Sequence, residues 1–235
     1  MAVTDLASLT QHLLIVGEGN RDSEFLLALS AKHGLINNFQ ISSVKGNTTF
    51  DLMGAVTILP GYDTLPGILI FGDNDEKAGK SFKLIKDQLN DADLPSPPRP
   101  LRIARKQGHP PLTVAMMPFP EVDGSNEGCL ETLLIPAIAR AHPNEKACVD
   151  ALFRCAKIDQ WRTKSSRDKL VVRCILSSCC ESNPMCGVPE WFRASTNLIP
   201  LDDPIFQGLV DFLRRVPAWF ASGEDDWETW SAAHP

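Results

Sequence analysis

The chain has 235 residues, of which 43% are hydrophobic, and a formal net charge of −6. This length suffices to bury a hydrophobic core, and the hydrophobic content excludes a wholly disordered protein. The net negative charge argues against a protein that coats nucleic acid with its whole surface, because phosphate contacts require lysine and arginine.

The amino-terminal residues and the cysteines indicate the compartment. Residues 1–5 lack the basic and apolar regions of a signal peptide. No run of about 18 or more uncharged apolar residues predicts a membrane span. The seven cysteines are odd in number, and five of them crowd between Cys155 and Cys186 without the regular framework of a small secreted domain. We therefore expect a cytoplasmic protein with reduced thiols and no membrane contact.

The first half of the chain alternates predicted strands and helices. An apolar run over residues 12–17 predicts a first buried strand, and the helical spacing of Phe25, Leu26 and Leu29 predicts a helix after it. Further strands are predicted over residues 38–44, 67–72 and 111–117, with helices over 48–59 and 78–90. This alternation is typical of an α/β fold in which helices cover both faces of a mostly parallel, four-stranded sheet.

The second half of the chain is predicted to be helical. Beyond Gly128 the apolar spacing indicates helices over residues 130–139, 145–157, 165–180 and 204–214. We expect a single domain over residues 1–235, with a core sheet over about 12–120 and a helical carboxyl-terminal extension over about 128–220.

Two aspartates follow the third predicted strand at the point where it ends. Asp73 and Asp75 are two residues apart, so an extended chain projects both side chains to the same side. Two like charges held this close favour a hard divalent cation such as Mg²⁺, which takes oxygen ligands. Glu18 ends the first predicted strand, and Asp22 follows four residues later. If strands one and three are neighbours, these acids meet at the edge of the sheet where α/β folds bind ligands.

An ordered set of motifs resembles a known family. The turn at Glu18 and Gly19, followed later in the chain by Asp73-Asn74-Asp75, resembles the Toprim domain of topoisomerases, bacterial primases and the OLD-group nucleases. The closer likeness is to small stand-alone bacterial Toprim-like proteins of uncharacterised function, and it spans about residues 12–215. These proteins share further motifs, which here are Glu18-Gly19-x-x-Asp22, Met117-Pro118, Gly128-x-Leu130-Glu131 and Lys169.

The resemblance implies a Rossmann-like Toprim fold and a Mg²⁺ or Mn²⁺ site. The acids implied as metal ligands are Glu18, Asp22, Asp73, Asp75 and Glu131. Asp22 and Glu131 would complete a second metal site, and Glu18 would either bind metal or act as general acid/base. Lys169 would stabilise charge that develops on the phosphate. The implied activity is cleavage of phosphodiester bonds in nucleic acid, with DNA as the expected substrate. Participation of a partner ATPase and the oligomeric state stay open.

The sequence departs from the family pattern at three places. Asn74 stands where many relatives have a small residue, and Gly17 stands where an apolar residue is more common. Both departures spare the carboxylates. Close relatives tend to carry an aromatic-rich helix where this chain has Cys174 to Cys186, which leaves the role of that segment toward substrate open.

Each candidate residue also has an ordinary structural explanation. Aspartates favour helix N-caps and turns, which would account for Asp73 and Asp75. Acids favour the first turn of a helix, which would account for Asp22 and Glu131. A strand-ending turn and an exposed helix position would likewise account for Glu18 and Lys169.

Two rival functions stay open from the sequence. A non-catalytic module could hold a metal and a nucleotide in the acidic pocket. A structural zinc protein could use Cys174, Cys179, Cys180 and Cys186, although their spacing departs from two Cys-x-x-Cys pairs. The chain lacks the P-loop, the nucleophile elbow and the dinucleotide-binding glycine motif, which lowers the case for ATP hydrolysis, serine hydrolysis and dinucleotide oxidoreduction.

Positive charge is concentrated in two stretches despite the net negative charge. Seven lysines and arginines lie between Arg154 and Arg173, against two acids. A second cluster consists of Arg99, Arg102, Arg105 and Lys106. Such stretches can meet a polyanion or form an ordinary solvated surface.

Overall fold

The fold is given by a computed structural model. It describes residues 9, 12–43, 57, 59–75, 79–122, 126–161, 163–181, 183–193 and 198–234. Of the helix predicted over residues 48–59, only positions 57 and 59 belong to the described residues, and the last position of the second predicted strand also lies outside them.

Four strands form the sheet of the described fold. Their bounds are β1 Leu13–Gly17, β2 Phe39–Ser43, β3 Ile68–Asp73 and β4 Leu112–Met117. The strand order is β2-β1-β3-β4, and each neighbouring pair is parallel. The predicted α/β fold with a four-stranded sheet is therefore confirmed.

The strand order places β1 beside β3. Gly17 pairs with Phe71 in register, and the amide of Glu18 donates to the carbonyl of Phe71 at 3.0 Å. The chain passes from β1 to β2 on one side and then returns to β3 on the other, so the order reverses between β1 and β3. A crevice opens at the carboxyl ends of the strands at such a point, and α/β folds bind ligands there.

The described residues form eight α-helices. Their bounds are α1 Asn20–Lys32, α2 Lys80–Asp91, α3 Leu130–Ala141, α4 Pro143–Cys155, α5 Lys164–Cys179, α6 Val188–Trp191, α7 Gln207–Ser222 and α8 Trp227–Ala233. The helical carboxyl-terminal part is thus confirmed, and α6 and α8 are additions to the predicted set. Within the described ranges, no helix combines the length and the apolar character that crossing a membrane requires.

Both faces of the sheet are buried, because consecutive side chains of each strand enter different cores. Ile15 and Phe71 face the larger core, to which α1, α3, α5 and α7 contribute. Val16 and Ile70 face a smaller core that includes Phe82 of α2. Burial on both sides explains why the strands read as continuous apolar runs rather than as an alternating pattern.

Helix α7 extends beyond its predicted end. The helix predicted over residues 204–214 begins as a 3-10 turn at Pro204–Phe206 and continues as α7 to Ser222, passing through Pro217. A proline within a helix removes one backbone hydrogen bond, so the sequence pattern favours an earlier end. Burial of Trp219 and Phe220 beyond the proline stabilises the longer helix.

Candidate metal centre

The carboxyl ends of β1 and β3 bring two separated acidic stretches together. Glu18 directly follows β1, Asp73 ends β3, and Asp75 comes two residues later. The backbone amide of Asp73 donates to Oε2 of Glu18 at 2.8 Å. This hydrogen bond joins the two stretches that the sequence analysis expected to meet at this edge.

The segment after β3 is fixed to the start of α3. Asn74 forms an isolated antiparallel bridge with Gly128, whose amide donates to the Asn74 carbonyl at 3.0 Å. Gly128 has φ +144°, and a Cβ there would lie 2.5 Å from Oγ1 of Thr132, so only glycine fits. The Leu130 amide, at the first position of α3, donates to Oδ1 of Asp73 at 3.1 Å. Asp73 therefore binds the amino terminus of α3, where a negative charge is favourable.

Asp22 lies behind the edge of the sheet, in the first turn of α1. Its side chain is buried, and Oδ2 accepts a hydrogen bond from the Gly19 amide at 2.9 Å. The helix approaches β1 closely, since a Cβ on Gly17 would lie 2.6 Å from Oγ of Ser23. This contact accounts for glycine at position 17, where the resemblance predicts an apolar side chain. Asp22 thus accepts a hydrogen bond from the N-cap amide of α1 and also faces the acidic site.

Glu131 is a buried acid that pairs with Arg21. Its side chain is 2% exposed, and Oε1 lies 2.7 Å from NH1 of Arg21 on α1. The guanidinium of Arg21 also lies 5.6 Å from the centre of the Trp191 ring. Arg21 is a site residue that the sequence analysis missed, because nothing in the local spacing of α1 links it to α3.

Lys169 reaches the acids from α5. Its Nζ lies 3.1 Å from Oδ1 of Asp75 and 3.4 Å from Oδ2 of Asp73. The same helix is held near β3 by Ser165, whose hydroxyl donates to the backbone carbonyl of Asp75 at 3.1 Å. Lys169 is therefore part of the acidic site and not only a surface residue of α5.

A thiol completes the set of potential metal-binding atoms. Ligand atoms of Asp73, Asp75 and Cys129 lie within 4.8 Å of one another, and Glu18, Asp22 and Glu131 are not part of this set. Burial raises the pKa of the Cys129 thiol, and the negative charge of Glu131 raises it further. A protonated thiol is a poor ligand, so the effective donors are carboxylate oxygens. The five predicted acids thus divide into the Asp73 and Asp75 pair, adjoining Glu18, and the deeper Asp22 and Glu131.

Among the described side chains of the site, negative charge exceeds positive charge. Burial raises the pKa of Asp73 well above its usual range, and the charge of Asp22 adds to this shift. Desolvation and the charge of Asp75 raise the pKa of Glu18. Burial lowers the pKa of Lys169, but the electrostatic interactions with Asp73, Cys129 and Asp75 together outweigh burial, so the lysine pKa is raised. A hard divalent cation would relieve this repulsion, and the oxygen donors fit Mg²⁺ or Mn²⁺.

The site opens into a cleft that α2 lines on its other side. The cleft has a volume of about 520 Å³ and is bordered by Glu18, Asp73 and Asp75. Lys80, Lys83 and Asp87 of α2 also line this cleft. A phosphate-bearing ligand that reached the acids would therefore pass basic side chains.

We expect Asp22→Asn to stabilise the protein when divalent cations are removed. Burial and the charge of Glu131 raise the pKa of Asp22 from 3.8 to about 7. Between these values the folded chain keeps a proton that the unfolded chain has released, so stability falls as pH rises. Asparagine stays neutral and still offers an acceptor to the Gly19 amide. Urea unfolding in EDTA at about pH 8 should show a gain of up to about 4 kcal/mol, since each pKa unit corresponds to about 1.36 kcal/mol.

Asp63→Asn serves as the control for this measurement. Asp63 is exposed and lies in the 3-10 turn Tyr62–Thr64. This turn precedes the amino end of β3, whereas the acidic site follows the carboxyl end of that strand. Its substitution should change the free energy of unfolding by less than about 0.5 kcal/mol. If Asp22→Asn and the parent protein were equally stable at about pH 8, the buried Asp22 carboxylate would not be destabilising when ionised, and the prediction would be wrong.

Comparison with known proteins places the chain in one family. A protein-family model described as "Protein of unknown function (DUF3226)" matches residues 11–217. Neither the curated proteins nor the solved structures contain a significant match to the chain. The matched range contains every acid of the site and Lys169. Because it also covers most of the sequence, the chain belongs to the DUF3226 family.

Proposed function

We propose that the protein is a Mg²⁺- or Mn²⁺-dependent nuclease of the Toprim type that acts on nucleic acid in the cytoplasm. The observation that carries this proposal is the convergence of Glu18, Asp73, Asp75 and Lys169 at the reversal point of the sheet. The raised pKa values of the Glu18 and Asp73 carboxylates support a cation-dependent site.

Asp73 and Asp75 are the residues proposed to hold the metal. Bound there, a divalent ion would polarise a phosphoryl oxygen and lower the pKa of water. Asp22 and Glu131 lie deeper, and Arg21 already contacts Glu131 at 2.7 Å. A second ion at Asp22 and Glu131 would have to compete with Arg21, so we assign these two acids mainly a supporting role through their charge.

Glu18 and Lys169 are proposed to act on the substrate. Glu18 is exposed to the cleft, and desolvation moves its pKa upward toward neutrality, which suits a general acid/base. Lys169 carries a positive charge next to Asp75, where it can stabilise negative charge developing on a phosphate. The hydrogen bond from the Asp73 amide to Oε2 holds the Glu18 carboxylate at the edge of the cleft.

The proposed path of nucleic acid follows α2 rather than the basic cluster at residues 99–106. That cluster is ion-paired within the protein, Arg99 and Arg102 with Asp226, Arg105 with Asp225, and Lys106 with Asp93. We favour α2 because Lys80 and Lys83 line the same cleft as the acids. We propose DNA as the substrate, and a partner ATPase as an additional component still to be sought.

Metal dependence of cleavage is the direct test of the proposed function. Purified protein should cut plasmid and single-stranded DNA in the presence of Mn²⁺, and EDTA in excess should abolish the cutting. Calorimetry in parallel should detect Mn²⁺ binding. Metal binding without cleavage of any substrate would favour the rival, a non-catalytic module, and absence of both binding and cleavage would overturn both functions.

A further inference from the structure

Three donor side chains of different chemistry meet away from the candidate metal centre. His142 stands at the junction of α3 and α4, Glu145 lies in the first turn of α4, and Cys179 is the last residue of α5. A ring nitrogen, a carboxylate oxygen and the thiol sulfur of these residues lie within 4.8 Å of one another. All three side chains are partly accessible to solvent.

The hydrogen bonding of His142 prepares one ring nitrogen to bind a metal. Nε2 lies 2.9 Å from the backbone carbonyl of Leu198. Since a carbonyl oxygen only accepts, Nε2 carries the proton and the lone pair is left on Nδ1. His142 occupies the N-cap position of α4, yet its side chain makes no capping hydrogen bond. Histidines that bind metals usually donate their second ring nitrogen to a carbonyl or carboxylate in this way.

We propose that His142, Glu145 and Cys179 form a zinc site. Imidazole and thiolate are ligands that Zn²⁺ prefers and Mg²⁺ avoids, so this site would differ in metal preference from the carboxylate site. Ligand atoms around a tetrahedral Zn²⁺ are about 3.5 Å apart. The ligand atoms here lie within 4.8 Å of one another, so only a small movement of the side chains is needed. Three protein ligands leave a fourth position for water or another donor.

The surroundings of Cys179 supply further thiols but no four-cysteine site. Cys180 shares a side-chain hydrogen bond with Cys186, and desolvation together with this hydrogen bond raises the pKa of the Cys180 thiol. Within the described part of the chain, Cys174, Cys179, Cys180 and Cys186 do not gather into a set with three ligand atoms within 4.8 Å. The proposed zinc site therefore uses Cys179 together with residues of α4, not the cysteine cluster alone.

An ion at this site would join the start of α4 to the end of α5. The two helices already pack against each other, and Glu145 borders a groove between them that also contains Cys148 and Cys174. The site is independent of the proposed nuclease function, because none of its three ligands belongs to the acidic cleft.

Cobalt titration of the full chain tests the zinc site. Protein stripped of metal under reducing conditions is titrated with Co²⁺, and Zn²⁺ is then added. We expect a thiolate-to-cobalt charge-transfer band that saturates at a single ion per chain and disappears when Zn²⁺ displaces Co²⁺. Cys179→Ser should remove the band. His142→Gln should weaken Co²⁺ affinity by more than roughly 10-fold. Loss of a residue that only hydrogen-bonds to a metal ligand already costs about that much, and His142 is itself a proposed ligand.

Two matched thiol variants separate this site from other cysteines. Cys129→Ser removes the thiol of the candidate metal centre, and Cys155→Ser removes an exposed thiol outside both clusters. Both should keep the band. Absence of a band in the parent protein, its survival in Cys179→Ser, or its loss in Cys129→Ser alone would overturn the proposal. Should Cys179→Ser fail to fold by circular dichroism, Glu145→Gln and His142→Gln give the same decision.

Discussion

Asp75→Asn should reduce Mn²⁺-dependent cleavage by roughly 10³-fold or more and weaken Mn²⁺ binding in parallel. A carboxylate about 4 Å from a cation contributes about 4 kcal/mol at an effective dielectric constant near 20, and each 1.36 kcal/mol corresponds to a tenfold change. Asparagine has nearly the same shape but no charge. Initial rates of plasmid cleavage and calorimetric Mn²⁺ titration measure the two losses.

Asp75 is a cleaner choice for this experiment than Asp73. Asp73 also receives the Leu130 amide at the start of α3, so its replacement would disturb that helix as well. The Asp75 side chain is 41% exposed and contacts Lys169. Asp63→Asn, in the turn before the amino end of β3, should cleave like the parent. Cleavage that persists at the parent rate in Asp75→Asn would mean that this site does not carry the activity.

Glu18→Gln should lower kcat by roughly 10²- to 10⁴-fold while leaving Mn²⁺ affinity nearly unchanged. General acid/base catalysis contributes rate factors of this size. The ligand atoms of Glu18 stand outside the set formed by Asp73, Asp75 and Cys129. A glutamine oxygen can still accept the Asp73 amide, so the side chain should keep its place. The substitution removes the proton-transferring group and preserves the geometry.

The same variant decides between the two roles implied for Glu18. The pH profile of the parent should show a limb from a carboxyl group whose pKa lies above the usual value, and this limb should be missing in Glu18→Gln. Rate and Mn²⁺ affinity falling together would instead identify Glu18 as a metal ligand. An unchanged rate would exclude both roles.

Most of the fold could be predicted because the strands are buried on both faces. β1, β3 and β4 read as uninterrupted apolar runs, and their observed bounds differ by one residue at most from the predicted ones at each end. The sequence alone did not determine that β1 and β3 are neighbours, because the strand order depends on the direction in which the chain crosses the sheet. Helix α7 shows the opposite effect, because tertiary burial of Trp219 overrides the local signal of Pro217.

From the residues alone, the candidate site could be predicted at the strand ends, whereas Glu131 and Lys169 were expected only from the resemblance. The parallel pairing of β1 and β3 brings Glu18 and Asp73 together. Both residues could be placed at strand ends from the apolar runs that precede them. The contact of Arg21 with Glu131 depends on how α1 packs against α3, and no local pattern encodes it. For the same reason, no short ligand spacing in the sequence predicts that His142 and Cys179 lie close together.

Lys169 gives the protein a built-in counterion. Its ammonium lies 3.1 Å from Asp75 and 3.4 Å from Asp73, so these carboxylates have a positive neighbour before any ion arrives. Loading would then be an exchange, in which the incoming ion displaces the ammonium or shares the aspartates with it. If the proposed function holds, a chain synthesised without manganese would still fold around Lys169 but would be inactive, and its cleavage rate would follow the concentration of free ion.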